Sequence, residues 1–146
     1  MDRFPCGEDY LRALGRAVYN FSVLEYAVVW VIELIEPGYM QTYRAGKKTA
    51  GMVAGDFKEK INRLPAGSVR TKLDSLSVSF KQLAIDRNDL LHANPAAMPN
   101  GDSHLIKAGA TKFIAWGEPH VVATATKFQD AAIDVLAVFG EMGGQP

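Results

Sequence analysis

The chain has a single cysteine, Cys6, in 146 residues. It can form no internal disulfide and no thiolate metal cluster, and sparse cysteine points to a reducing, cytoplasmic setting. An excess of one charge is also missing. Sixteen basic residues offset 16 acidic ones, so no global positive field exists for nucleic acid, and any RNA contact must come from a local patch. Long hydrophobic runs are absent too. The longest apolar stretch, Tyr26 to Ile35, is broken by Glu33 and falls short of the roughly 20 residues that span a bilayer. We expect no membrane association. Asp2, Arg3, Glu8 and Asp9 near the start predict no signal peptide. No repeat or low-complexity linker is visible, so residues 1–146 read as one domain with a core at about 8–142. No G-x-x-x-x-G-K-[ST], G-x-S-x-G, strand-borne G-x-G-x-x-G or H-E-x-x-H occurs, which argues against a P-loop, a hydrolase elbow, a dinucleotide site and a zincin. His104 and His120 have no metal-ligand spacing with each other or with His92. They read as surface residues, and we expect neither metal nor cofactor.

What is present is helical periodicity. Leu11, Leu14, Val18, Phe21, Leu24, Val28, Val31, Ile32 and Ile35 predict one helix over 8–36, stopped by Pro37-Gly38. Its second half is apolar almost all round. One core needs only a stripe, so the surplus predicts a homodimer, or else a central helix wrapped by its own chain. Residues 39–50 read as a loop in which Tyr43, Arg44, Lys47 and Lys48 interleave aromatic and basic groups that could stack a base or hold a phosphate. A second helix follows over 49–64, with Met52, Val53, Phe57, Ile61 and Leu64 on one face and Gly51 and Gly55 permitting close helix contact. Ser68 is the expected N-cap of a third helix over 69–93, with Leu73, Leu76, Phe80, Leu83, Ala84 and Leu91 in its core. A loop over 94–103 precedes two short strands, 104–107 and 111–116, joined by a turn. Thr126 and Gln129 fit a capping box and predict a last helix over 126–142. The fold class is therefore mainly α: a four- to five-helix up-and-down bundle with a small β-hairpin before the last helix.

The stretch that carries chemistry is Arg87-Asn88-Asp89-Leu90-Leu91-His92, followed by Ala93-Asn94-Pro95. Asn88 and His92 are four apart and share a helix face. Arg87 lies about 140° from His92 around the axis, within reach of a long side chain. Pro95 disfavours a helical Asn94, which puts His92 in the last turn, where the helix dipole favours imidazolium. A histidine exchanges protons near neutral pH, an arginine holds phosphate through two parallel bonds, and an amide orients a ring or a substrate oxygen. Together these parts suit metal-free cleavage of RNA. Glu25, the polar exception inside the first helix, would pair with Arg87 or orient His92. Otherwise it is a solvated residue or an ion-pair partner elsewhere.

Arg87 to His92 resembles the R-x4-6-H signature of the HEPN superfamily, in the form that begins Arg-Asn. Tyr19 to Tyr26, with Glu25 inside an apolar run, resembles the opening helix of bacterial HEPN-like proteins. The resemblance implies a helical bundle that dimerises and brings two motifs to one cleft. It also implies a metal-independent endoribonuclease, a toxin with an antitoxin partner or a phage-defence effector. There His92 is the general acid or base, Arg87 stabilises the pentacovalent phosphate and Asn88 positions substrate. The alternative is a HEPN-like dimeric binding module without catalysis, in which Arg87 and His92 tie helices together.

Overall fold

The computed structural model describes residues 6–46 and 48–145. Their elements are α1 (Glu8–Ile35), α2 (Tyr39–Gly46), α3 (Ala50–Ile61), α4 (Ser68–Leu91), β1 (Asn94–Ala97), β2 (Ser103–Ala108), β3 (Phe113–Trp116) and α5 (Glu118–Glu141). The protein is a five-helix bundle with a small sheet before the last helix. The helix directions follow from side-chain pairs. Asn20 donates to the Ala125 carbonyl at 2.9 Å, and the Trp30 and Phe139 rings lie 6.3 Å apart, so α1 and α5 run parallel. Lys72 reaches Glu141 at 2.8 Å, while Asp86 shares a groove with Lys127, so α4 runs against both. Lys58 pairs with Asp74 at 2.7 Å, and Gly51 faces Asn88 across a groove, which reverses α3 relative to α4.

The core is aromatic at its centre. Phe21 stacks on Phe80 at 6.1 Å, Phe80 meets Phe57 edge-on at 6.2 Å, and Phe128 meets Phe21 at 5.1 Å. Alanines at Ala13, Ala17 and Ala27 of α1 and Ala125 and Ala132 of α5 are buried, giving the two helices their longest contact. This moves the buried stripe away from the one expected. Leu11 and Val18 are 54% and 44% exposed, because small residues on the neighbouring face allow closer approach. Val28, Val29, Val31 and Ile32 are fully buried within the single chain. Their apolarity is thus accounted for by α1's own bundle and does not itself call for a second copy. By length and composition α1 would suffice to cross a bilayer, with a mean hydropathy of 1.5, although its uninterrupted apolar run is short. One face of it, including Phe21, Leu24, Val28, Val31 and Ile32, lies in the bundle core.

Four further expectations change. Residues 39–46 form a helix rather than a loop, because Glu33 of α1 caps it. Its carboxylate accepts from the backbone N–H groups of Gly38 at 2.9 Å and Met40 at 2.7 Å, and Gly38, at φ 98°, makes the turn. Ser68 is the first helical residue of α4, with Gly67 at the cap. The loop after the motif contributes β1, which pairs antiparallel with β2 from Asn94 opposite Ile106 to Ala97 opposite Ser103. With β2 and β3 also antiparallel, the expected hairpin is a three-stranded sheet. Finally, α5 starts at Glu118 with a proline in its first turn, a favoured position for that residue. Thr126 is interior and its hydroxyl bonds back to the Val122 carbonyl at 3.1 Å, so the Thr126–Gln129 pair caps nothing.

The bonds from Gly38 and then Met40 hold the Glu33 carboxyl below its ordinary 4.5. A depressed native-state pKa stabilises the fold above the unfolded value, and that contribution is lost as pH falls through the native value. Thermal melts should therefore show wild type above Glu33→Gln at neutral pH, with the gap closing below about pH 4. A gap independent of pH would mean that the charge contributes nothing to the cap.

Candidate functional site

Arg87 occupies the face of α4 that looks toward α1. Its guanidinium lies over the Phe21 ring, 5.6 Å from the centroid, and donates to the Asn88 side-chain carbonyl at 3.0 Å. It is half-buried and, among the described residues, makes no ion pair with a carboxylate. The flanking acids are engaged elsewhere. Asp86 accepts from Gln82 at 3.0 Å, and Asp89 pairs with Lys112 in the β2–β3 turn, tying the sheet to the motif. An arginine laid on an aromatic face is positioned with little entropy left to lose and keeps its donor fork for an anion.

Around Arg87 opens a cleft of about 400 Å³, lined by Phe21, Ser22, Glu25, Tyr26 and Tyr43 among others. The sequence singled out Glu25 and Tyr43, and the structure brings both here. Glu25 does not bond to Arg87 or to His92. It accepts a 2.8 Å hydrogen bond from the Tyr43 hydroxyl. Burial, and then this bond, push the Tyr43 hydroxyl up to about 12, so it remains a donor throughout the neutral range. Arg44 reaches the Tyr26 hydroxyl at 2.9 Å and adds a second guanidinium near the cleft. Phenylalanine at position 43 would leave Glu25 without its partner and cost about 1–2 kcal/mol of stability, read from urea denaturation.

Lys48 and His92 do not line the cleft. Lys48 is held by Asp56 at 2.5 Å, with 18% of its side chain exposed, and sits over the Tyr39 ring. Burial pushes Asp56 up, but the bonds from Lys48 and Tyr39 outweigh it and leave the carboxyl below its ordinary range. Lys48 thus fastens α2 to α3 and is not free for phosphate. Lys47 lies outside the described residues. His92 ends α4 as its C-cap, with φ −100° and ψ 11°, and its N–H bonds to the Asn88 carbonyl at 3.0 Å. Its side chain is exposed and does not line the Arg87 cleft. Within one chain, then, Arg87 lines the cleft and His92 stands outside its lining.

Of the other two histidines, His120 is an exposed surface residue, as its sequence context predicts. His104 is half-buried rather than a free surface residue, stacked on Tyr10 at 5.2 Å, and His120 stacks on Trp116 at 4.3 Å. Tyr10 donates to the Trp116 carbonyl at 2.6 Å and accepts from the Leu105 N–H at 2.9 Å, fixing the sheet against α1. Among the described residues, no group of three or more His, Cys, Asp or Glu side chains could hold a metal ion. Phe21, the floor of the site, carried no sequence signal beyond its place in the core stripe.

The fold and site define a small helical bundle with a cleft around Arg87 between α1, α2 and α4. No family model, curated protein or solved structure matches the chain.

Proposed function

We propose that this chain is a HEPN-like, metal-independent endoribonuclease, a toxin or defence effector that acts as a homodimer. The observation that carries the reading is the Arg87 guanidinium, laid over Phe21 in an open cleft with no carboxylate partner among the described residues, on the same short motif as an exposed His92. The dimer follows from the separation of those two groups and from the surface beside them. Leu91, which its spacing predicts to be in the core, is instead 43% exposed and lies four residues beyond Arg87 on the same face. Val18 stands one turn before Ser22 of the cleft, and Leu11 two turns before Val18. All three leave apolar surface open along the helices that carry the site. A second copy covering this face brings two motifs to one cleft.

In that cleft Arg87 binds the scissile phosphate and the negative charge that builds on it. A neutral His92 takes the proton from the ribose 2′-hydroxyl, whose oxygen attacks phosphorus. The bond to the 5′-oxygen breaks, and the leaving oxygen receives a proton from the second copy's imidazolium. Asn88 positions the guanidinium through its carbonyl. The products are a 2′,3′-cyclic phosphate and a 5′-hydroxyl, and DNA is spared because it has no 2′-hydroxyl. His92→Ala, whose side chain is exposed, should keep the wild-type melting temperature and lose cleavage. Retained cleavage in that variant would sink the assignment. The Arg87–Asn88 bond within one chain favours the second reading, a binding module without catalysis. It predicts instead that wild type binds RNA or a partner and cuts nothing.

A further inference from the structure

Between α4 and α5, on a different side of the bundle from the Arg87 cleft, two cavities of about 330 and 520 Å³ share Leu76 and Asp134 and so form one groove. It extends along α4 from Lys72 to Asp86, roughly 21 Å at 1.5 Å per residue. Its floor is apolar, with Leu76, Ala131 and Val138, and Val78 on its rim is 68% exposed. Its walls are acidic. Asp130 and Asp134 make no ion pair among the described residues, and Asp86 bonds only to the neutral Gln82. Lys72 and Glu141 neutralise each other at 2.8 Å, leaving Lys127 as the one cation facing three uncompensated carboxylates.

We infer that this groove is a docking site for a basic amphipathic helix of a partner protein. An apolar trough of this length takes about fourteen helical residues, with apolar anchors about two turns apart for the two cavities and Lys or Arg beside them for the aspartates. The carboxylates repel nucleic acid and anionic lipid, so the groove is not an extension of an RNA path. A second copy offering α3 is a poor occupant, because the cations on it and just beyond it are already paired: Lys58 with Asp74, Lys60 with Glu36 and, past the helix end, Arg63 with Glu59. This inference does not depend on the ribonuclease reading.

The test uses a fluorescent peptide of about fifteen residues with leucines at i, i+4, i+7 and i+11 and lysines elsewhere, beside an analogue with glutamates for the lysines. Anisotropy titrations of the whole protein should give one-to-one binding of the lysine peptide, at least about tenfold tighter than the glutamate peptide. Asp130→Lys combined with Asp134→Lys should weaken it about tenfold. Ala131→Trp, which fills the floor and leaves the carboxylates, should also weaken it. Ala137→Trp, at the other end, replaces that variant if it does not fold. Absence of saturable binding, or unchanged affinity in either kind of variant, overturns the inference. So does sedimentation showing that the double charge reversal dissociates the wild-type oligomer, which would assign the groove to a second copy.

Discussion

Phe80→Ala is expected to destabilise the protein by about 3–5 kcal/mol, the usual cost of deleting a fully buried aromatic ring. Phe80 has no exposed surface and touches aromatic partners on two other helices, Phe21 of α1 and Phe57 of α3. Each such pair adds about 0.5–1.5 kcal/mol beyond the area it buries. Little can collapse into the space, since the surrounding backbone belongs to long helices held at both ends. For a chain of this size the loss lowers the melting temperature by roughly 10–15 °C. Urea denaturation should show a lower midpoint with an unchanged slope. A loss below about 1 kcal/mol would mean that the aromatic cluster is not the centre of the core. Phe21 is both a member of that cluster and the surface beneath Arg87, so the variant couples core and site. RNA cleavage should fall even at temperatures where it remains folded.

Arg87→Ala is expected to reduce RNA cleavage by about 10²–10³-fold, the scale for removing one positioned donor to transition-state charge. Stability should change by only about 1 kcal/mol, since the side chain forfeits an aromatic contact and one hydrogen bond to Asn88 but no ion pair. Arg87→Lys separates charge from geometry. It restores a cation but not the planar fork, so activity should rise only part of the way. Full activity in Arg87→Lys would reduce the role of Arg87 to attracting phosphate. A large fall in melting temperature with either variant would support a helix tie rather than a catalytic group.

The helices were legible where apolar spacing ran long. The spans of α1, α3 and most of α4 follow from it, because one buried stripe fixes the helical period. α2 was not legible as a helix, because its start depends on Glu33, which is close in space and outside the segment itself. β1 carries Asn94 and Pro95 and only small apolar residues after them; it exists because β2 supplies its hydrogen bonds. The capping-box spacing starts α5 eight residues late. Thr126 and Gln129 have the spacing of a cap, but spacing does not distinguish a cap from a threonine bonding back inside a helix. At the site, the sequence brought forward Arg87, Glu25 and Tyr43, which line one cleft, and Asn88 and Arg44, which reach it only through bonds to Arg87 and Tyr26. It could not show that Tyr43 holds Glu25 or that Phe21 lies under Arg87, because each depends on packing between separate helices.

The most direct test of the central claim is the chemical identity of the ends produced from RNA by purified wild-type protein in excess chelator. The mechanism predicts fragments whose masses correspond to 2′,3′-cyclic phosphate and 5′-hydroxyl ends, with none from a DNA strand of the same sequence. Intact RNA, or fragments bearing 5′-phosphate ends, would contradict a reaction driven by the ribose hydroxyl at Arg87 and His92.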